Sequence, residues 1–289
     1  MSEKLRGHLL ALFTSCVWGG TFICTKVLLT GLEPTAILLI RFVIGTLVLY
    51  PLCPRLMPFL GWKRELMLAG AGLCGLTVYY QLENLSLMYA PASLVSVIIS
   101  TAPFFVALCT WLFLKGPRPK GIFYLGFAVS IGGISLLSFT GSAETGVSLR
   151  GVLMALGAAV AWGPYSVLTK KAEAFGYNTV QISRRIFLYG LLFMLPGVLL
   201  GGTAFPTETI LQPAFGLNLL FLGVVASALC FVTWNEAIRH IGTVASSVYI
   251  YLSPVITVLL SVPVLGEPLT PRGVLGILLT LTGLVLSQL

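Results

Sequence analysis

Long apolar stretches, separated by short segments rich in charge, Pro or Gly, run through the whole chain. Each stretch is about 20 residues long, which is the length a helix needs to cross the hydrocarbon core of a bilayer. The pattern predicts ten helices, at residues 7–29, 34–52, 65–88, 91–115, 120–139, 150–171, 178–200, 214–239, 243–265 and 271–288. We therefore expect an all-α polytopic membrane protein whose loops are too short to hold a separate soluble domain.

The composition also indicates that the solvent of this fold is lipid. Of the 289 residues, 57% are hydrophobic and 9% are charged, and the mean hydropathy is +1.00. So few charges could not cover the core of a water-soluble protein of this size. The composition therefore disfavours a receptor with a large ectodomain, a tethered enzyme and a protein with its own ATP-hydrolysing module.

The basic residues predict the orientation of the chain. The sequence has 17 Lys and Arg against nine Glu and no Asp, a formal net charge of +8, but the basic residues form no continuous stripe that would indicate nucleic acid binding. They gather instead at alternate helix ends, on the side that holds the amino terminus: Lys4, Arg6, Arg55, Lys63, Arg64, Lys115, Arg118, Lys120, Lys170, Lys171 and Arg239. The opposite side has Arg150 and Arg272. This bias predicts a plasma-membrane protein with both termini in the cytoplasm, and we interpret residues 7–29 as a retained span rather than a signal peptide.

No motif in the sequence predicts a cofactor or a metal. The six cysteines lie in or beside apolar stretches without C-x-x-C spacing, which favours buried thiols over a disulfide framework or metal site. The chain contains neither a G-x-x-x-x-G-K-[ST] phosphate loop nor an H-E-x-x-H motif, and the lack of Asp excludes an intramembrane two-aspartate protease.

An internal repeat divides the chain into two halves. Equivalent residues lie 144 positions apart at the start of each half and 151 apart further on, and loop insertions explain the drift. The pairs are Trp18 with Trp162, Lys26 with Lys170, Arg41 with Arg185, Asn84 with Asn235, and Pro103 with Pro254. We expect repeats at residues 1–140 and 150–289 that form one membrane domain. Because five helices is an odd number, the second repeat is inverted, an arrangement that permits alternating access.

Two repeat-related prolines indicate where a binding site lies. Pro103 and Pro254 fall at the centres of the fourth and ninth helices, where the carbonyls of Ile99 and Ile250 should lose their helical partners. Freed carbonyls at the bilayer midplane are tolerable only against protein or a water-filled cavity. The prolines therefore predict a central substrate site, although a kink that serves packing alone is the alternative.

Two acids within apolar segments are candidates for binding or ion pairing. Burying Glu83 or Glu236 in a span costs about 2.5–3.5 kcal/mol on insertion scales, so each should pair or face a cavity. On the third helix Tyr79 shares a face with Glu83, and Tyr80 shares one with Asn84. Rings beside a carboxyl suit an amino group, a quaternary ammonium or a proton-coupling step. The alternative is that Arg41 neutralises Glu83, and that Lys170 or Arg185 neutralises Glu236.

Aromatic residues near the helix centres could line the same site. Trp18 and Trp162 occupy equivalent positions near the middles of the first and sixth helices, and their indole N–H groups need partners at that depth. They could wall a cavity for a flat, partly apolar solute, or they could serve packing. Further candidates are Tyr79, Tyr80, Tyr165, Trp234, Tyr249 and Tyr251. The four cations Lys26, Arg41, Lys170 and Arg185 could receive a carboxylate, pair with acids or form gating contacts at the two mouths.

The signatures VWGG and AWGP, the Arg of LLIRF and SRRIF, the segments ISTAP and YLSP, and the ending LGEPLTPRGVLG resemble the drug/metabolite transporter superfamily. More narrowly, the chain resembles its ten-helix exporters with two EamA-type repeats. The resemblance implies a small-metabolite carrier of a bacterial or archaeal plasma membrane, with a cavity lined by helices 1, 3, 4, 6, 8 and 9, and with relatives that export amino acids. One departure is Glu267, which has no counterpart in the first repeat.

Together these features predict export of a small amphipathic metabolite, an amino acid or a related compound. The alternatives are an exporter of organic amines or quaternary ammonium compounds and, in another class, a membrane-embedded lipid-modifying enzyme. The partners we expect are the small-molecule substrate and the lipid bilayer. Proton coupling and a homodimer both stay open at this point.

Overall fold

The computed structural model describes residues 2–139 and 147–287, and these ranges contain helices and no strand. Ten long helical units follow one another in the described chain, each within a few residues of a predicted helix, and a four-residue helix that was not predicted, Thr207–Ile210, lies between the seventh and the eighth. They are α1 Glu3–Leu28, α2 Pro34–Leu52, α3 62–89, α4 Ala92–Leu114, α5 Gly121–Phe139, α6 Leu149–Ala172, α7 Thr179–Gly201, α8 Pro213–Ile241, α9 Thr243–Leu265 and α10 Pro271–Leu286. The ends predicted at residues 140, 288 and 289 lie outside the described residues.

The lengths and hydropathies of these helices define the fold class. Seven of the described helices are long and apolar enough to cross a membrane, namely α1, α2, α4, α6, α7, α8 and α9, while α10 and residues Gly121–Leu136 of α5 form shorter apolar helices. The remaining helix, α3, is more polar because it carries Lys63, Arg64 and Glu65 at one end and Glu83 and Asn84 towards the other. The prediction of an all-α polytopic membrane protein is confirmed.

Polar residues next to the apolar stretches determine where several helices begin. The Ser2 side chain accepts a hydrogen bond from the Leu5 amide at 3.2 Å at the start of α1. At the start of α7, Asn178 and Gln181 form a capping box, in which each side chain accepts a hydrogen bond from the other end of the first turn. These caps satisfy amides that have no partner within the helix.

Helix packing follows the repeat. Helix α1 packs against α8 and α9, and its repeat equivalent α6 packs against α3 and α4. Helix α2 packs against α8, whereas its equivalent α7 packs against α3. Three further pairs join equivalent helices directly, α2 with α7, α4 with α9 and α5 with α10. Exchanging the two halves therefore leaves these contacts unchanged.

The helices are interrupted next to both central prolines, as the sequence predicts. Helix α4 breaks at Ser100 and Thr101, and α9 changes to a 3-10 helix over Val248–Leu252 before it continues as an α-helix. The prediction that the Ile250 carbonyl loses its hydrogen-bond partner is wrong in part. The Ser253 amide donates to this carbonyl in the tighter hydrogen bond of a 3-10 helix. The breaks bring Ala102 and Ser253 to the centre of the molecule.

Two wide turns that the sequence analysis did not predict occur at equivalent positions. Residues Leu73–Val78 of α3 and Phe221–Leu229 of α8 are π-helical, a form that is rare and often found at functional sites. The turn in α3 holds Gly75, where a Cβ atom would lie 2.1 Å from the Tyr165 ring. This close approach explains why a glycine is needed there.

Glycines let α5 and α10 approach closely. A Cβ atom on Gly126 would lie 2.4 Å from the Gly283 carbonyl oxygen, and one on Gly133 would lie 2.6 Å from the Gly276 carbonyl oxygen. The Ser130 hydroxyl donates to the Thr280 carbonyl at 2.9 Å across the same interface. Because the obstructing atoms are backbone, they cannot move aside as a flexible side chain would.

We therefore expect Gly133→Ala to destabilise the protein. Overpacking typically costs about 1–3 kcal/mol, which corresponds to a fall of roughly 2–10 °C in the melting temperature of a chain of this size. The matched control is Gly132→Ala, because a Cβ atom on Gly132 meets nothing within 4 Å in the described part of the chain. Thermal unfolding in detergent compares the two variants, and equal melting temperatures would contradict the close packing of α5 on α10.

Candidate transport site

A small cavity lies at the centre of the molecule, between α1, α3, α4, α6 and α9. Its lining residues are Trp18, Thr21, Phe22, Tyr79, Tyr80, Glu83, Ser96, Ile99, Ala102, Trp162, Ile250 and Ser253. Three pairs of these residues are repeat equivalents: Trp18 with Trp162, Ile99 with Ile250, and Ala102 with Ser253. The cavity volume is about 20 Å³, comparable with the space one water molecule needs. Side chains therefore nearly fill the site in this conformation, and a solute would require the helices to separate.

Five of the twelve lining residues are aromatic. Trp18 and Trp162 meet edge to face at a centroid distance of 5.4 Å, and Tyr79 packs against Trp162 at 4.8 Å and against Tyr80 at 4.7 Å. The Trp18 indole N–H donates to the Ala226 carbonyl at 3.0 Å. The Trp162 indole N–H is buried and lacks a hydrogen-bond partner among the described residues. A buried, unused donor beside the cavity is available to a solute.

Glu83 supplies a carboxyl group to this aromatic wall. Its side chain lines the cavity, only 2% of the residue is exposed, and Oε1 has no hydrogen-bond partner in the described part of the chain. Tyr79 lies one turn earlier on the same face of α3, as the sequence predicts, and interacts with the carboxylate. The position equivalent to Glu83 in the second repeat is Trp234, so the polar character of the site lies on one side of the repeat axis.

The other predicted substrate-binding residues do not line the cavity. Tyr165 is fully buried behind Trp162 and donates to Asn235 Oδ1 at 3.1 Å, and Trp234 packs behind Trp18 at 5.0 Å. Asn84 donates to the Pro34 carbonyl at 3.1 Å and so ties α3 to α2. The remaining three, Pro103, Pro254 and Tyr249, also lie outside the lining. Tyr249 is instead hydrogen-bonded through its hydroxyl to His8 Nδ1 at 2.9 Å.

Several lining residues were missed by the sequence analysis. These are Thr21, Phe22, Ser96, Ala102 and Ser253, whereas Ile99 and Ile250 were named in advance for their backbone carbonyls. Small hydroxyl and aliphatic residues carry no chemical signal that distinguishes a cavity wall from a packed core. The alignment of the two repeats could have identified some of them, because the residues just before the central prolines of α4 and α9 should both approach the axis that relates the two repeats.

Lysine and glutamate bridge the helices at one end of the molecule, which we call the Lys26 end. Lys26 on α1 donates to the carbonyls of Leu87, where the contact is short, and Ala90, at 2.9 Å. Glu267, in the loop after α9, accepts from the Ala92 amide at 2.6 Å, from the Ser93 amide at 3.1 Å and from the Ser93 hydroxyl at 2.6 Å. The glutamate thereby caps the first turn of α4, where the helix dipole favours negative charge.

The opposite end, which we call the Lys170 end, is bridged differently. Lys170 pairs with Glu173 at 2.6 Å and lies 3.5 Å from the Ile238 carbonyl, the repeat equivalent of the Leu87 carbonyl. Glu236 accepts from Thr179 and lies near Arg239, at 3.6 Å, and His240, at 3.5 Å. The described partners of Glu236 are therefore these groups rather than Lys170 or Arg185.

Arg41 and Arg185, which the sequence analysis paired across the repeat, differ in their surroundings. Arg185 lies near Glu65 at 3.4 Å and donates to the carbonyls of Met57 and Pro58, so it holds the segment between α2 and α3. Arg41 is fully buried, and its only described hydrogen bond runs from Nε to the Ser227 hydroxyl at 3.1 Å. No group of three or more possible metal ligands occurs among the described residues.

A bundle of apolar helices with a central aromatic and acidic cavity, bridged at both ends, defines a polytopic membrane transporter. The chain belongs to the EamA-like transporter family, whose sequence profile matches residues 5–139 and again residues 149–289. This is a family of transporters rather than enzymes, which removes the lipid-modifying alternative.

Similar proteins extend over nearly the whole chain. An uncharacterized transporter from Archaeoglobus fulgidus is 29% identical, over 97% of this chain and 96% of its own. A probable terminal-alkyne amino-acid exporter from Streptantibioticus cattleyicolor is 27% identical, over 94% of this chain and 90% of its own. A solved crystal structure with 19% identity superposes with a TM-score of 0.71 over 100% of this chain and 99% of that chain, which supports the fold alone.

Proposed function

We propose that this transporter exports a small amphipathic metabolite, an amino acid or a related compound, and that the central cavity is the substrate site. The observation that carries the proposal is the meeting of Trp18, Trp162, Tyr79 and Tyr80 around the buried carboxylate of Glu83. Rings bury the apolar part of a solute, and a carboxylate orients an amino group. Similarity to the probable terminal-alkyne amino-acid exporter of Streptantibioticus cattleyicolor supports the same class of solute for this chain.

Transport would proceed by alternating access between two inverted five-helix halves, residues 1–140 and 150–289. The repeat-related breaks in α4 and α9 support this mechanism, because they provide a hinge beside the cavity in each half. In the plasma membrane, with both termini in the cytoplasm, the Lys26 end would face outward and the Lys170 end inward. Lys26 and Lys170 would then act at the outer and inner gates.

The experiment that tests the proposal is counterflow of labelled amino acids in proteoliposomes, with and without a proton gradient. We expect transport without ATP, and we expect Trp18→Ala to reduce the initial rate about tenfold or more, because a wall of the site is removed. Trp62→Ala is the matched control, since Trp62 is 76% exposed at the start of α3. Equal rates for the wild type and Trp18→Ala would exclude Trp18 from the site.

A second candidate function is the export of organic amines or quaternary ammonium compounds. The observation that favours it is the placement of Glu83 beside aromatic rings, a combination that binds cations. Counterflow in the presence of both an amino acid and the amine with the same carbon skeleton distinguishes the two candidate functions. An exporter of organic cations would transport the amine in preference to the amino acid.

A further inference from the structure

Arg41 has hydrogen-bond donors that no residue in the described part of the chain accepts from. The residue is 0% exposed, and both terminal guanidinium nitrogens lack a hydrogen-bond partner among the described residues. A guanidinium has five N–H donors, of which only the one on Nε is paired here, with Ser227. Leaving donors of a buried cation unpaired is costly, and such groups call for an explanation.

The equivalence of Arg41 with Arg185 expected from the sequence is wrong. The Arg41 carbonyl lies against Gly223 as the Ile186 carbonyl lies against the equivalent Gly72, so the counterpart of Arg41 in the second repeat is the apolar Ile186. Arg185 is a neighbouring residue that is paired with Glu65 and donates to the Pro58 carbonyl. Arg41 is therefore a buried cation without a counterpart in the second repeat, and its described hydrogen bond is the one to Ser227.

Arg41 lies directly behind the cavity wall. Its guanidinium carbon stacks over the Tyr80 ring, 4.3 Å from the ring centroid, and Tyr80 lines the cavity. The Tyr80 ring therefore separates the free donors from the cavity. Because the cavity is only about 20 Å³ in this conformation, admitting a solute already requires the aromatic rings to move, and movement of Tyr80 would uncover Arg41.

Arg41 and Glu83 form a pair of opposite charges that are held apart. They attract each other electrostatically, yet neither belongs to an ion pair in the described part of the chain. Hydrogen bonds from Gln81 to Thr35, at 3.0 Å, and from Asn84 to Pro34, at 3.1 Å, tie α3, which carries Glu83, to α2, which carries Arg41. Two fixed, unpaired opposite charges match a solute that carries both charges itself.

We propose that Arg41 is the carboxylate receptor of the transport site and that, together with Glu83, it restricts the substrate to zwitterions with an apolar body. The carboxylate of the solute would accept hydrogen bonds from the two terminal nitrogens of Arg41, and its ammonium group would donate to Glu83. The apolar body of the solute would lie against Trp18 and Trp162. This inference rests on the proposed function, since it assumes that the cavity is the transport site.

The test measures binding of three probes with the same ring to the full-length protein in nanodiscs. The probes are L-phenylalanine, which is a zwitterion, phenethylamine, which lacks the carboxylate, and 3-phenylpropanoate, which lacks the amino group. Quenching of tryptophan fluorescence reports occupancy beside Trp18 and Trp162 and is insensitive to leakage of the amine through lipid. Counterflow of labelled phenylalanine in proteoliposomes runs in parallel.

We expect the wild type to bind phenylalanine about 10- to 100-fold more tightly than either truncated probe. Arg41→Met should lose this preference and bind phenylalanine and phenethylamine alike, whereas Glu83→Gln should bind phenylalanine and 3-phenylpropanoate alike. Arg41→Lys keeps the charge but loses the fork, so it should fall between the wild type and Arg41→Met. Retained binding of phenethylamine by Arg41→Met shows that this variant is folded.

Two results would overturn the inference while leaving the proposed function intact. One is tighter binding of phenethylamine than of phenylalanine by a wild type that performs counterflow. The other is an equal loss of all three probes in Arg41→Met together with wild-type thermal stability, which would make Arg41 a positioning residue. Failure of the wild type to bind or transport any probe would instead overturn the proposed function, and the inference with it.

Discussion

Glu83→Gln is expected to reduce the initial rate of counterflow about 100-fold at substrate concentrations below saturation. The carboxylate is buried, lines the cavity and has an oxygen without a hydrogen-bond partner in the described part of the chain. A hydrogen bond to a charged group contributes about 1.5–3 kcal/mol, and the upper part of that range corresponds to the expected loss. Glutamine keeps the shape of the side chain, so the change isolates the charge.

The thermal stability of the same variant distinguishes a binding role from a structural one. If Glu83 only neutralised Arg41, its removal would leave a buried cation uncompensated, and the melting temperature would fall strongly. If Glu83 binds substrate, the melting temperature without substrate should stay near that of the wild type while transport is lost. Glu208→Gln, a change at an exposed position between α7 and α8, is the control for handling and reconstitution. An undiminished transport rate in Glu83→Gln would show that Glu83 is not part of the substrate site.

Much of the architecture could be predicted because the bilayer imposes it. A span must be about 20 apolar residues long, and this constraint placed all ten described helical units within a few residues. The central prolines predicted the interruptions in α4 and α9, since proline removes a helical donor wherever it occurs. The π-helical turns could not be predicted, because they depend on how Gly75 packs against Tyr165, a contact between distant parts of the chain.

The site was less predictable than the fold. Trp18 and Trp162 were identifiable because large rings near the middle of a span are unusual, and Glu83 because a charge within an apolar span is costly. Tyr249 was expected to line the cavity with them. It lies in the 3-10 segment of α9, where side chains point in other directions than they would in an α-helix, and the Tyr249 hydroxyl is hydrogen-bonded to His8 instead. The separation of Arg41 from Glu83 could not be read from sequence, because opposite charges on adjacent helices would ordinarily be expected to pair.

The two ends of the molecule are held by different contacts, and Glu267 is one residue that distinguishes them. Glu267 accepts three hydrogen bonds at the start of α4, whereas its repeat-equivalent position is Gly116, which has no side chain to do so at the start of α9. Lys26 and Glu267 also attract each other. An equilibrium between inward-open and outward-open states should therefore favour closure of the Lys26 end when no substrate is bound.

Glu267→Ala is accordingly expected to shift this equilibrium towards opening of the Lys26 end. The change removes all three hydrogen bonds to Ala92 and Ser93, while Glu267→Gln keeps one neutral acceptor and should have an intermediate effect. The measurement is the labelling rate of Ser96→Cys, a cavity position, by a membrane-impermeant maleimide in a background whose six native cysteines are replaced by alanine. We expect labelling from the Lys26 side to become about tenfold faster, the shift that loss of about 1.4 kcal/mol of closure energy would produce.

The control for this shift is Glu236→Ala, which removes the acceptor of Thr179 and so a contact between α8 and α7 at the opposite end. Because opening one end should close the other in the proposed alternating-access cycle, Glu236→Ala should accelerate labelling from the Lys170 side and slow it from the Lys26 side. If both variants accelerated labelling from both sides, the substitutions would merely loosen the bundle. Unchanged labelling in Glu267→Ala would mean that the hydrogen bonds of Glu267 cap α4 without holding the gate, and the asymmetry between the repeats would then have no part in the transport cycle.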